Sequence, residues 1–226
     1  MIPVTLGSDD YRFLIPEKVT EITRSLRVFI VENTRTARRF LRMIDKSFPI
    51  DDTLFFELNE HTPDTEVINF LDPVLGGKDA GLMSEAGLPG IADPGARIVS
   101  LAHRKKIRVI PLSGPSSIIM ALIASGLNGQ NFAFNGYLPV KEKERTAKIR
   151  ELEIRSGRGQ AQIFMEAPYR NQKMLESVLN ICSNWTKLCI ATDISSETET
   201  IRTQTISEWK KNMPEIKDHP TIFILQ

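Results

Sequence analysis

The chain has 226 residues, of which 41% are hydrophobic and 25% charged, and its net charge is +1. This composition is typical of a globular protein with enough chain for one large domain or two small ones. The balanced charge excludes a chain-wide attraction to nucleic acid or membranes, although a local basic face is compatible with it. The two cysteines lack CxxC or Cys/His spacing and no stretch has transmembrane length. We therefore expect a soluble, cytoplasmic protein with reduced thiols.

Strand-like and helix-like patterns alternate along the first half of the chain. The predicted strands are 27–32, 53–58, 80–84 and 107–111, and the predicted helices are 34–45, 67–75, 96–105 and 116–125. In the first helix Thr34 is a candidate cap, and the apolar face comprises Ala37, Phe40, Leu41 and Ile44. The last helix is so apolar that we expect it to be fully buried. This alternation predicts an α/β fold with a parallel sheet covered on both faces.

The second half of the chain has a different pattern of elements, with predicted strands at 131–138, 162–167, 187–192 and 221–225. Helices are predicted at 141–155, 171–182 and 207–212. We therefore predict an N-terminal α/β domain with a parallel sheet over 1–127 and a mixed α/β domain over 128–226.

Two glycine- and proline-rich loops follow predicted strands and precede helices: "SEAGLPGIADPG" at 84–95 and "PLSGPSS" at 111–117. Ligands of parallel sheets bind beyond the carboxyl ends of the strands, where glycine permits close backbone approach. Both loops are equally compatible with simple tight turns. The chain lacks the GxGxxG and GxxxxGK[ST] motifs, Ser116 lacks the second glycine of a nucleophile elbow, and the histidines have no metal-ligand spacing.

Five stretches occur in an order that resembles a known family: "VENTRTARRFL", "NEH", the two loops above, "NGYLPVKEKER" and "IFMEAPYRNQKMLESVL". The chain resembles the tetrapyrrole methylase superfamily of S-adenosylmethionine-dependent methyltransferases. Within it, the chain looks most like the ribosomal small-subunit RNA cytidine 2′-O-ribose methyltransferases. The resemblance implies two α/β domains with the cofactor in the cleft between them, and a homodimer.

The resemblance also assigns residues to the cofactor, S-adenosylmethionine. An adenosyl group needs an apolar slot, close backbone and a few hydroxyl or amide partners, and methyl transfer from a sulfonium needs no metal. The matching positions are Ala86, Gly87, Leu88, Ile91, Ser116, Ser117 and Met165.

A ribose hydroxyl is a weak nucleophile, so we expect a base or charge-stabilising group beside it. The catalytic candidates at the predicted sheet edge are Glu32, Arg35, His61 and Glu85, with Glu60 also nearby. Glu32 and Arg35 are equally compatible with a structural ion pair, and His61 with a solvated loop position. Two basic faces are candidates for RNA phosphate: Arg35, Arg38, Arg39 and Arg42, and then Lys141, Lys143, Arg145, Lys148, Arg155 and Arg158.

Three segments depart from the family pattern. "GSDD" at 7–10 replaces a Gly-Asn-Leu-type turn, Asn33 replaces an aspartate, and Thr192 and Ser196 stand where the RNA enzymes carry basic residues. These departures count against a simple transfer of the family's properties. The resemblance as a whole still predicts methylation of the ribose of small-subunit ribosomal RNA. The alternatives are methylation of a corrin or porphyrin carbon, or a non-catalytic cofactor-binding paralogue.

Overall fold

The computed structural model of the protein describes residues 1–8 and 10–226. These residues form two compact units, Met1–Ser116 and Ser117–Gln226. No helix among them is long and apolar enough to cross a membrane.

The first unit contains a three-stranded parallel sheet in the order β2-β1-β3. Its strands are β1 (Val28–Val31), β2 (Leu54–Glu57) and β3 (Gly81–Met83). Its helices are α1 (Glu17–Ser25), α2 (Thr34–Ile44), α3 (Asp64–Val67), α4 (Asp72–Leu75) and α5 (Gly95–Arg104).

Strands β1 and β3 are buried on both faces, as the alternation in the sequence predicts, whereas the outer strand β2 is partly exposed and Leu54 is 47% exposed. Phe29 and Val31 pack in one apolar cluster with residues of α1 and α2. Ile30, between them in β1, packs in a second cluster with residues of α5. Side chains alternate across a strand, so one short strand supplies both cores.

Helix α2 matches its predicted apolar face, because Ala37, Phe40, Leu41 and Ile44 are its buried residues. The helix predicted at 67–75 is instead divided into α3, a 3-10 turn at Ile68–Leu71, and α4. Pro73 explains the division, since proline lacks an N–H donor and clashes with the preceding turn unless it lies in the first turn of a helix. Helix α1, which follows Pro16, has no counterpart among the predicted elements.

The strand predicted at 107–111 is wrong, because the structure assigns no strand to these residues. This segment lies beside the first residues of the chain instead. The Met1 amino group donates to Ile110 O at 2.7 Å, and Leu112 N donates to Met1 O at 3.1 Å. A β-strand requires a continuous series of backbone hydrogen bonds with a neighbouring strand, and these two bonds do not form one.

The second unit contains a five-stranded mixed sheet in the order β4-β5-β8-β6-β7. Strands β4 and β5 are parallel, and the other neighbouring pairs are antiparallel. The strands are β4 (Phe132–Tyr137), β5 (Ala161–Met165), β6 (Lys187–Thr192), β7 (Thr200–Thr205) and β8 (Thr221–Leu225). The helices are α6 (Ser117–Ser125), α7 (Glu142–Ser156), α8 (Asn171–Ile181) and α9 (Ile206–Lys211).

Helix α6 differs from its prediction in two respects. It packs on β6, β7 and β8 of the second unit, and Thr203 Oγ1 donates to Ser125 O at 2.7 Å. The division of the chain therefore falls at Ser116/Ser117, whereas the sequence placed it after residue 127. The expectation of full burial is wrong, since Ile119 and Ile123 are 43% and 76% exposed. A helix on a sheet buries only one of its sides.

Candidate active site

The three parallel strands of the first unit end side by side. Val31 pairs with both Glu57 of β2 and Met83 of β3, so the next residues of each chain segment leave the same edge of the sheet. Glu32 follows β1 there, and Ser84 opens the glycine-rich loop after β3. This edge is the place where open parallel sheets bind ligands.

Glu32 is the half-buried carboxylate of this edge. Its backbone N–H donates to Met83 O at 3.2 Å, and its Oε2 accepts from the Glu85 backbone N–H at 3.0 Å. Burial raises the Glu32 pKa, and the negative charges of Glu85 and Asp93 raise it further, whereas the hydrogen bond from Glu85 opposes the shift. The structure thus brings two predicted catalytic residues, Glu32 and Glu85, together.

Asn33 caps helix α2, a role that the sequence assigned to Thr34. Asn33 Oδ1 accepts from the backbone N–H groups of Arg35 and Thr36 at 2.9 and 3.2 Å. Asparagine and aspartate are comparably good N-caps. The replacement of aspartate by Asn33 therefore leaves the start of the helix well capped.

Glu57, at the end of β2, also contacts the start of α2 and was missed by the sequence reasoning. Glu57 Oε2 accepts from the Thr34 N–H at 3.1 Å and from Thr34 Oγ1 at 2.8 Å. These bonds lower the Glu57 pKa.

The ion pair that the sequence allowed between Glu32 and Arg35 is not formed within residues 1–8 and 10–226, and Arg35 is exposed.

The loop after β2 carries His61 and Glu60 at the surface. Their side chains are 86% and 85% exposed, and His61 Nε2 lies 3.4 Å from Glu60 Oε1. Arg97 of α5 holds this loop: its guanidinium donates to Thr62 O at 2.8 Å and to Asp64 Oδ1 at 2.5 Å. Arg97 had no predicted role, and nothing in its immediate sequence indicates one.

The loop 84–95 is fixed by Asp93, which the sequence reasoning also missed. Its two carboxylate oxygens accept from Gly90 N at 2.7 Å and Gly95 N at 2.6 Å. Gly87 has a φ of +70°, and a Cβ there would lie 3.2 Å from Leu6 Cδ2 and 3.4 Å from Pro115 O. The positive φ therefore favours glycine, and a Cβ would also require the Leu6 side chain to shift slightly.

The predicted cofactor residues are spread over several elements. Ala86 and Ile91 are exposed and Leu88 is partly buried, all on the loop 84–95. Ser116 and Ser117 are partly buried, and Ser117 is the first residue of α6. Met165 lies partly buried at the end of β5 in the second unit.

The two predicted basic faces differ in the structure. Arg35, Arg38, Arg39 and Arg42 of α2 are all exposed, and no acidic residue lies within this helix. The second face is interrupted, because Arg145 is buried and donates to Val140 O at 2.6 Å and to Ser177 Oγ at 3.2 Å. Assigning Arg145 to a phosphate-binding face is therefore wrong. Lys148 and Arg155 form ion pairs with Glu151.

The departures from the family pattern have partial structural explanations. In 7–10, Asp9 lies outside the described residues, while Asp10 caps a 3-10 turn at Tyr11–Phe13 by accepting from Arg12 N at 3.0 Å. Thr192 is buried and lies 3.3 Å from the hydroxyl of Thr221, Oγ1 to Oγ1. Ser196 is exposed.

Residues 10–210 match the family model of the tetrapyrrole (corrin/porphyrin) methylases. The chain belongs to the tetrapyrrole methylase family. The crystal structure of the methyltransferase CobJ is similar to this tetrapyrrole methylase chain with a TM-score of 0.64 and 14% identity. The superposition covers 96% of this chain and 90% of CobJ, which shows a shared fold.

Two bacterial relatives of this tetrapyrrole methylase bear the name ribosomal RNA small subunit methyltransferase I. The Vibrio cholerae protein is 31% identical over 194 residues, which are 86% of this chain and 65% of the relative. The Bacillus subtilis protein is 30% identical over 209 residues, covering 92% and 67%. The chain thus spans about two thirds of the length of these relatives.

Proposed function

We propose that the protein is an S-adenosylmethionine-dependent methyltransferase that methylates a ribose 2′-hydroxyl of small-subunit ribosomal RNA, acting as a cytoplasmic homodimer. The observation that carries the proposal is the edge of the parallel sheet, where the loop 84–95, held by the hydrogen bonds of Asp93, meets the half-buried carboxylate of Glu32. The names of the bacterial relatives support the choice of RNA.

The loop 84–95 fits the methyl donor in its chemistry. Gly87 has no side chain, so a ligand can approach the backbone closely there. Its N–H donates to Thr5 O and its C=O accepts from Val4 N, so these bonds hold the loop in place and the contact proposed for Gly87 is one of close approach. Ala86, Leu88 and Ile91 would supply apolar contacts, with Ser116, Ser117 and Met165 as the further proposed contacts. When bound, the donor supplies an activated methyl group on a sulfonium.

Glu32 is proposed to accept the proton of the ribose hydroxyl. Burial raises its pKa, which makes its carboxylate a stronger base than that of an ordinary glutamate. Glu85 keeps Glu32 in place through its backbone N–H and adds negative charge nearby. His61 and Arg35 are exposed, which favours contacts with the RNA over proton transfer from the hydroxyl.

Calorimetric titration with S-adenosylmethionine and S-adenosylhomocysteine tests the proposal. We expect micromolar binding that is lost in Gly87→Arg, with circular dichroism confirming that the variant folds. If the wild type binds neither compound, the methyltransferase proposal fails.

Transfer of labelled methyl groups to unmodified small ribosomal subunits tests the RNA substrate. Arg35→Ala should weaken the apparent affinity for subunits and lower its dependence on salt by about one phosphate contact. Lys143→Ala, a matched loss of charge on α7, should have a smaller effect because glutamates flank it. Equal effects would contradict a role for α2 in RNA binding.

A further inference from the structure

A cavity of about 260 Å³ lies in the first unit beside Glu85. It is bounded by the end of β3, the segment between Val4 and Ser8, and one side of α2. Glu32 is not part of this lining, but the backbone N–H of Glu85 donates to Glu32 Oε2 at 3.0 Å. The carboxylate proposed to take the proton is therefore one hydrogen bond away from a residue of the lining. The proposed function gives roles to the loop 84–95 and to Glu32, but it gives this cavity no ligand.

The lining of the cavity combines apolar side chains with polar groups. Val4, Ala37, Phe40 and Met43 contribute apolar surface. The polar groups around them belong to Thr5, Ser8, Thr36, Arg39, Ser84 and Glu85. A nucleobase has the same combination, since its faces are apolar and its edge carries donors and acceptors.

The size of the cavity limits what it admits. Pockets for drug-sized ligands occupy roughly 300–1,000 Å³. A cavity of about 260 Å³ is below that range. It therefore suits a single nucleoside and is too small for an oligonucleotide or a macrocycle of four pyrrole rings.

The charge around the cavity fits a nucleoside that remains attached to its RNA strand. Thr36, Ala37, Arg39, Phe40 and Met43 of the lining all belong to α2. The same helix exposes Arg35, Arg38 and Arg39, and none of its own residues is acidic. Phosphates on either side of a nucleoside in the cavity would therefore meet positive charge.

We propose that this cavity receives the nucleoside to be methylated, extruded from the RNA, with its base against Phe40 and Met43 and its sugar toward Glu85 and Glu32. Extrusion is the general means by which enzymes reach an atom that is covered in a folded nucleic acid. The inference rests on the proposed methyltransferase function and adds to it the site at which the substrate is recognised.

The test fills the cavity from two walls, with Thr36→Trp and Met43→Trp, and uses Met213→Trp as the control. Met213 is 46% exposed in the second unit and does not line the cavity. Each folded variant is titrated with S-adenosylmethionine and assayed for methyl transfer to unmodified small subunits. We expect both cavity variants to bind S-adenosylmethionine as the wild type does, with kcat/KM for subunits lowered about 100-fold.

The controls separate the two proposals. Met213→Trp should bind and transfer as the wild type does. If the two cavity variants transfer methyl groups at the wild-type rate, the cavity proposal alone is overturned. Loss of S-adenosylmethionine binding in both variants would also overturn it, because the cavity would then hold the methyl donor. A wild type that does not bind S-adenosylmethionine would overturn the proposed function, and this inference with it.

Discussion

Glu32 is the residue whose protonation should govern the rate of the reaction. Glu32→Gln keeps an oxygen that accepts from Glu85 N but removes the base. We expect kcat to fall about 100-fold while S-adenosylmethionine binding is retained. The wild-type pH–rate profile should lose activity as the pH falls through a Glu32 pKa above the ordinary glutamate value, and the variant should lack this limb. An unchanged profile in the variant would contradict the assignment.

The same pKa shift has a consequence for stability with a definite sign. Because burial raises the folded-state pKa above the unfolded value, the folded protein binds this proton more tightly. The resulting stabilisation is fully present below the unfolded pKa and is lost as the pH rises through the folded pKa. Glu32→Gln does not ionise, so at neutral pH it should melt at the same temperature as the wild type or higher.

Gly114 is needed for space rather than for its backbone angles. A Cβ at this position would lie 2.2 Å from Pro3 Cβ and 2.4 Å from Pro3 Cγ, and the proline ring has little freedom to move. Gly114→Ala should therefore lower the free energy of unfolding by about 1–3 kcal/mol, measured by urea denaturation. Gly129→Ala is the matched control, because among the described residues, its two chain neighbours apart, none has an atom within 4 Å of a Cβ there. Equal stability of the two variants would refute this packing argument.

At the scale of elements, helix α5 positions the loop after β2 through Arg97. Arg97→Ala removes the donors to Thr62 O and Asp64, so the loop carrying Glu60 and His61 loses its anchor. We expect kcat for methylation of subunits to fall, while the affinity for S-adenosylmethionine changes less. Arg97→Lys should restore part of the rate, since one cation still reaches Asp64. Arg104→Ala, at the other end of α5, should leave the rate unchanged; a similar loss there would indicate a general effect of the helix.

Helix α2 and the segment 107–111 show why some elements were predictable and others were not. The apolar residues of α2 recur at the helical period, and a pattern that buries one face needs no information from elsewhere in the chain. The segment 107–111 has the composition of a strand, but a strand also requires a continuous ladder with a neighbour. Its neighbour is the beginning of the chain, which local sequence does not reveal.

Some residues of the candidate site were likewise predictable from the sequence, and others were not. Strand ends and glycine loops placed Glu32, Glu85 and Gly87 at one edge, because parallel strands end together. Asp93 and Arg97 escaped notice because their roles depend on which backbone groups the folded loops present to them. The burial of Arg145 likewise depends on its packing beside Ser177 of α8, which the charge pattern of α7 does not indicate.

At the scale of the whole molecule, binding of the methyl donor should stabilise the folded chain. A ligand that binds only the folded state at about 100 times its Kd adds about 2.7 kcal/mol. For a chain of 226 residues, this increment should raise Tm by roughly 5–10 °C. S-adenosylmethionine and S-adenosylhomocysteine should both produce the shift in a thermal melt, because both carry the adenosyl group that the loop 84–95 is proposed to bind.

The comparison with Gly87→Arg makes this shift specific. The variant has the same sequence elsewhere but carries a long side chain where the loop has no room for a Cβ without displacing Leu6. Its own Tm should be lower than that of the wild type, since a φ of +70° is strained for arginine, and it should not rise on addition of either compound. Adenosine and ATP added to the wild type control for weak nucleotide binding. Equal shifts in the two proteins would place the adenosyl group away from this loop.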